Sequence, residues 1–251
     1  MNYKLEGNGK TLVFIHGLSD NFLYWEVLAS NLKHDHQVLR VDLRGHGESE
    51  MGNDEITIDT YANDLNNLLD ELDIPNVNLI GFSLGGAVAL DFAIRYPQKV
   101  DSLVLMSSFY KVDNSLRDAL NQFKTALDIS FEEFYDTILP MVLCPNVIKD
   151  NENELQMLKE IASHNANTEA YIKAADACLN FDAEKHLPDI NVPTLILAGR
   201  HDEISTLDIQ KEMHGKIRNS ELIIFDDVKH NLLVGKNNEK ILSLISNFLG
   251  K

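Results

Sequence analysis

Three observations predict an α/β fold: a parallel sheet covered by helices on both faces and interrupted by a helical insertion. Short apolar runs recur at residues 11–15, 38–41, 77–80, 103–106, 192–198 and 221–225. Segments with apolar residues at helical spacing separate the first four of these runs, and strands buried on both faces read as unbroken rather than alternating. From residue 112 to 187 the strand signal vanishes and helix follows helix, after which the alternation resumes. A chain of 251 residues has room for one large α/β domain and little more. The expected organisation is a core of residues 1–111 and 188–251, with an inserted helical cap at 112–187.

The elements follow in order. The first core run, 11–15, ends at His16-Gly17. Trp25, Leu28 and Leu32 mark a helix within 22–32, and the run at 38–41 ends at Asp42-Leu43-Arg44-Gly45-His46-Gly47. Leu65, Leu68, Leu69 and Leu72 share one helical face after Tyr61, and Pro75 closes that helix. The run at 77–80 leads into Gly81-Phe82-Ser83-Leu84-Gly85-Gly86, and the small-residue pattern Ala87-Val88-Ala89-Leu90 leads out as a helix that Tyr96-Pro97 stops. Within the insertion, one stripe holds Leu116, Leu120, Phe123 and Leu127, and a second Phe131, Phe134, Tyr135, Ile138 and Val142. Leu155, Leu158 and Ile161 suggest a third, and residues 171–179 a fourth. A last helix carries Ile241, Leu244, Ile245 and Phe248 on one face. An all-helical insertion past the Ser83 strand reads as a cap over the C-terminal edge of the sheet, where open α/β sheets bind ligands.

Composition narrows the partners. The chain is 44% hydrophobic and 24% charged, with a net charge of −17 that argues against nucleic acid or an anionic membrane. Its apolar runs, such as 138–144, are too short to span a bilayer. Residues 1–8 lack the apolar core of a signal peptide, which predicts a cytoplasmic location. Cys144 and Cys178 read as two reduced, buried thiols. No metal and no cofactor is expected; the expected partner is a small molecule, and the expected assembly a monomer or homodimer.

The chemistry centres on Ser83. A strand that turns sharply into a helix with serine at the tip is the G-x-S-x-G nucleophile elbow, and crowding at the crossing demands glycine at both flanks. A serine hydroxyl is a poor nucleophile until a histidine takes its proton and a carboxylate orients that histidine. The run ending at Gly199 leads into Arg200-His201-Asp202-Glu203, and the run ending at Phe225 leads into Asp226-Asp227-Val228-Lys229-His230. Ser83, Asp202 and His230 thus stand at three strand ends, in the chain order an elbow enzyme requires. Among the nine histidines, His34, His36, His164, His186 and His214 fall in helical or loop segments. His201 adjoins Asp202 too closely to be oriented by it. His16 and His46, beside glycines, read as loop-shaping. Glu203 is the nearest rival to Asp202; Asp226 and Asp227 are too close to His230 in sequence, and Asp42 reads as a brace for the Arg44–Gly47 loop. The oxyanion donors are expected to be the backbone N–H groups of Leu84, heading the elbow helix, and Leu18, after the first core strand. Trp25, Phe82 and Phe109, near strand ends, are the candidate pocket walls.

Together His16-Gly17-Leu18, residues 42–49, Gly81 to Gly86, Gly199 to Asp202 and His230 resemble the α/β-hydrolase fold superfamily over residues 10–106 and 190–249. Within it the chain is most similar to small capped serine hydrolases: carboxylesterases, enol-lactonases and C–C bond hydrolases. Two positions depart from the pattern: Lys229 stands where glycine usually precedes the histidine, and Ser205-Thr206 where a proline commonly follows the acid. Relatives that cleave carbon–halogen bonds or epoxides carry aspartate at the nucleophile position, and Ser83 argues against both. The resemblance implies hydrolysis of a small carboxylic ester through an acyl-enzyme. The alternatives are lactone opening, C–C bond hydrolysis or a menaquinone-pathway lyase step on the same triad, and a slow-turnover ligand receptor. The cap's only arginine, Arg117, reads as solvent-facing, which disfavours dicarboxylate substrates.

Overall fold

A computed structural model of the chain describes residues 1–250. Seven strands form one sheet in the order β1-β3-β2-β4-β5-β6-β7. They are β1 (Tyr3–Glu6), β2 (Thr11–Ile15), β3 (Gln37–Val41), β4 (Val77–Phe82), β5 (Val100–Met106), β6 (Thr194–Gly199) and β7 (Ser220–Phe225). All neighbours are parallel except β1, which runs antiparallel to β3 with Tyr3 opposite Val41 and Glu6 opposite Val38. Around the sheet lie α1 (Glu26–Leu32), α2 (Ile58–Glu71), α3 (Leu84–Arg95), α9 (Leu207–Lys216) and α10 (Asn238–Leu249). Between β5 and β6 come α4 (Asn114–Leu127), α5 (Phe131–Val142), α6 (Pro145–Asp150), α7 (Glu152–His164) and α8 (Thr168–Leu179).

The strand residues divide between two cores. Val13, Ile15, Leu79, Leu103 and Ile196 pack with α2, α3 and α9, whereas Leu12, Phe14, Ile80, Val104 and Leu197 pack with α1 and α10. Burial on both faces accounts for the unbroken apolar runs. After β2 the chain crosses to β3 on one side, and β4 then starts the series on the other side. The C-terminal ends of β2 and β4 therefore flank a topological switch point, the place where such sheets open a crevice.

Strand β1 is absent from the sequence reading, because its side chains are exposed or half-buried and give no apolar run. Its contribution is partly ionic. Arg40 on β3 is fully buried, and Glu6 and Glu26 neutralise it at 2.7 and 2.6 Å. Among the inserted helices, the expected stripe Leu116, Leu120, Phe123 and Leu127 is buried, as are Phe131 and Phe134. The third stripe differs: Leu155 is buried, but Leu158 and Ile161 are 45% and 56% exposed. Helix α7 is held through one turn of its expected apolar face only. Among the described residues no helix is long and apolar enough to cross a membrane.

Candidate active site

Ser83 sits between β4 and α3 with φ 50° and ψ −116°, a backbone state that L-residues rarely adopt. The crossing tolerates no side chain at Gly85, where a Cβ would lie 2.1 Å from the Ile15 carbonyl oxygen. That approach sets the head of α3 against the end of β2 and His16. Four hydrogen bonds hold the elbow: the Ser83 N–H donates to Met106 O (2.9 Å), and Ser83 O accepts from Ser108 Oγ (2.9 Å), the Gly86 N–H (2.9 Å) and the Ala87 N–H (3.2 Å).

Asp202 and His230 arrive from the neighbouring strand ends. Gly199 closes β6 so tightly against the following loop of β7 that a Cβ there would lie 1.9 Å from Lys229 O. The His201 N–H donates to Val228 O at 3.0 Å, zipping the two loops together. The result is a linked chain of three side chains: Ser83 Oγ lies 3.0 Å from His230 Nε2, and His230 Nδ1 lies 2.8 Å from Asp202 Oδ2. The other oxygen, Asp202 Oδ1, accepts the N–H groups of Ile204 and Ser205 at 2.9 and 3.0 Å. A proline at position 205 would lack one of those donors, so the departure from proline there supplies a backbone N–H to Asp202. His230 and Asp202 are buried, while Ser83 retains partial access to solvent. Glu203, the rival acid, pairs with Lys229 at 2.8 Å.

The loops beside the chain of three are braced by buried polar groups. His16 Nε2 accepts the Leu43 N–H at 3.0 Å while Nδ1 faces Gly17 O at 2.8 Å, a pattern that requires the neutral ring protonated at Nδ1. Burial lowers His16 to about 4 and His46 to about 3. Asp42 Oδ2 accepts the Glu48 N–H (3.0 Å) and Asn2 Nδ2–H (2.7 Å), and Oδ1 accepts the Phe22 N–H (2.7 Å). Both histidines and Asp42 thus shape loops, as their sequence context suggests.

The expected pocket walls are distributed unevenly. The Phe82 ring lies 5.1 Å from that of His230 and stacks on Tyr24 at 4.8 Å. Trp25, by contrast, is fully buried among Phe14, Leu28 and Ile241, and Phe109 is buried against Phe181. Phe82 is buried as well, and its neighbour Tyr24, one position before Trp25, is half-buried. Leu18 is partly buried, and its N–H has no backbone or side-chain acceptor among the described residues; Leu84 heads α3, where helix geometry leaves its N–H without an intrahelical acceptor.

Further residues, of which the sequence singled out only Lys229, tie these loops together. Tyr24 Oη donates to Asn231 Oδ1 at 3.2 Å, and the Asn231 N–H donates to Val142 O at 3.0 Å, tying the His230 loop to α5. Lys229 Nζ donates to Pro140 O at 2.7 Å as well as pairing with Glu203. Buried Gln210 Nε2 donates to Ser108 O and to Ser205 O (3.4 Å), linking the loops after β5 and β6. Asp20, in the turn after Gly17, lies beside Phe82. None of these carries a local motif; only long-range proximity marks them.

Residues 10–236 match the sequence profile of the family described as alpha/beta hydrolase fold. The chain is 30% identical over 261 residues to the AB hydrolase superfamily protein YisY of Bacillus subtilis (strain 168), covering 96% of this chain and 92% of that one. It superposes on an esterase from Exiguobacterium antarcticum with a TM-score of 0.89 at 23% identity, over 99% of this chain and 95% of that one. It likewise superposes on the enol-lactonase of Burkholderia xenovorans LB400 with a TM-score of 0.88 at 22% identity, over 100% and 96% of the two chains. With its topological switch point, its strained serine elbow and this match across nearly its whole length, the chain belongs to the alpha/beta-hydrolase fold family, and hydrolysis is the activity that family supports.

Proposed function

We propose that the chain is a serine hydrolase that cleaves small carboxylic esters through an acyl-enzyme. The observation that carries this reading is the unbroken hydrogen-bonded series Ser83–His230–Asp202, at 3.0 and 2.8 Å. In this reading Asp202 Oδ2 accepts the Nδ1 proton of His230, leaving Nε2 free to take the Ser83 proton as Oγ attacks the ester carbonyl. The N–H groups of Leu18 and Leu84 hold the oxyanion, and losing either donor costs roughly 3 kcal/mol of transition-state stabilisation. His230 then passes its proton to the leaving alcohol. Water enters, gives a proton to His230 and attacks the acyl carbon, and Ser83 departs with that proton restored. The helices at 112–187 act as a cap over this corner, and Phe82 with Tyr24 walls the cleft beneath it.

Labelling of folded wild-type protein by a fluorophosphonate, lost in Ser83→Ala, together with turnover of an aryl-ester chain-length panel, tests the proposal. Absence of labelling overturns it. Labelling with no turnover of any ester overturns the esterase reading and leaves the ligand-receptor alternative. The likeness to an enol-lactonase favours a second reading, lactone opening by the same three residues. Turnover of enol-lactones far above that of simple esters decides for it.

A further inference from the structure

Asp20 is a carboxylate that the proposed reaction does not use. It lies in the turn after β2, its N–H donating to Gly17 O at 3.3 Å. Its Oδ2 and the Phe82 ring crowd the same point, 3.1 and 2.9 Å from where a Cβ on Gly17 would sit. Its charge is felt by His230 and by the hydroxyls of Tyr24, of Tyr135 on α5 and of Tyr171 on α8. Asp20 therefore stands where the β2 loop, the His230 loop and the inserted helices converge. Among the described residues, the groups that act on it are His230 and the Gly17 backbone, with no lysine or arginine.

We propose that Asp20, with the stacked rings of Tyr24 and Phe82, forms a subsite for an ammonium group carried by the substrate close to its scissile carbonyl. The inference rests on the serine-hydrolase reading of the site. A carboxylate beside an aromatic pair, with no lysine or arginine acting on it, is the chemistry that receives an alkylammonium: Coulomb attraction from the carboxylate, aided by the neighbouring rings. Desolvation raises the Asp20 carboxyl to about 7, a cost that a bound cation relieves. The chain's net charge of −17 draws cations toward the cleft and repels anions. Asp20 acts as a specificity-determining residue: it touches no bond that is made or broken.

The test compares three acetate esters matched in size: the choline ester, its uncharged 3,3-dimethylbutyl isostere, and an ester whose alcohol carries a carboxylate. The expected kcat/KM ratio of cationic to neutral ester is about tenfold, and that of anionic to neutral well below one. In Asp20→Asn both ratios move toward unity, and Asp20→Glu recovers part of the cationic preference. Ratios unchanged by Asp20→Asn, or absence of a cationic preference in the wild type, overturn the subsite. Calorimetric titration of Ser83→Ala protein with choline and with 3,3-dimethylbutan-1-ol reads the subsite without catalysis. Choline binding the tighter, and losing that advantage in Ser83→Ala/Asp20→Asn, supports it even where no ester is turned over; equal binding of the two ligands overturns it.

Discussion

The strand-end loops and the inserted helices meet at one cleft but are held by different forces. Ser83, Asp202 and His230 stand on loops fixed by close backbone approaches, at Gly85 over Ile15 and at Gly199 over Lys229, and by hydrogen bonds between strand ends. The inserted helices rest on apolar stripes of uneven depth: α4 and α8 each bury a full face, whereas Leu155 alone is buried on α7. Hydrogen-bonded, sterically closed loops hold reacting atoms to fractions of an ångström, whereas apolar packing tolerates sliding. On the proposed function, reaction chemistry belongs to the strand ends, and substrate choice to the inserted helices.

The largest effects should arise at the strand ends. Ser83→Ala is expected to lower kcat on any ester by about 10⁴-fold or more, with little change in urea midpoint, as the side chain is small and partly exposed. Asp202→Asn should cost about 10⁴-fold, since an amide cannot serve His230 in the tautomer that leaves Nε2 free. Steady-state kinetics with active-site titration checks both. A loss below tenfold in either variant would break the division of roles.

Acid should loosen the same region. The unfolded chain protonates His16 and His46 below about 6.5, whereas the folded chain keeps them neutral down to about 4 and about 3. Their contribution to stability is thus full above 6.5 and shrinks as pH falls, by on the order of 2 kcal/mol per histidine between pH 7.5 and 5. Asp20 works in the opposite direction: raised to about 7 when folded, it favours the folded state at low pH and loses that contribution as pH rises toward 7. Urea melts at pH 7.5 and 5 should therefore show a steeper acid loss in Asp20→Asn than in wild type. Equal slopes would contradict the burial of its carboxyl.

Smaller effects are expected at the junction with the inserted helices. Lys229→Gly removes the bonds to Pro140 O and Glu203 that join α5 to the loops of His230 and Asp202. Stability should fall by about 1 kcal/mol, with KM raised several-fold and kcat changed far less. An equal fall in kcat would place Lys229 with the strand-end machinery. On α7, Leu155→Ala should cost about 2 kcal/mol, while Leu158→Gln and Ile161→Gln stay within about 0.5 kcal/mol. Thermal melts distinguish the buried position from the exposed ones.

Legibility followed the same division. The elbow is readable because backbone strain demands glycine beside serine in an uninterrupted local motif, and the acid and base are readable because each follows its own apolar run. Tyr24 and Trp25 diverge because successive residues of a 3-10 turn are rotated by roughly 120°, so Trp25 packs in the core while Tyr24 stacks on Phe82. Leu155, Leu158 and Ile161 marked α7, yet the exposure of the last two was not legible, because periodicity reports a helix face without reporting what covers it.

By itself the sequence determined the parallel core, the place of the insertion and the chain order of serine, acid and histidine. All three are written in local hydrophobic period and backbone conformation, which neighbouring residues settle among themselves. Only the tertiary structure decided that β1 closes the edge over Arg40, that Lys229 and Asn231 fasten to α5, and that Asp20 comes to lie beside Phe82. Those facts depend on distances between segments far apart in the chain, and such distances exist only once the sheet has ordered its strands.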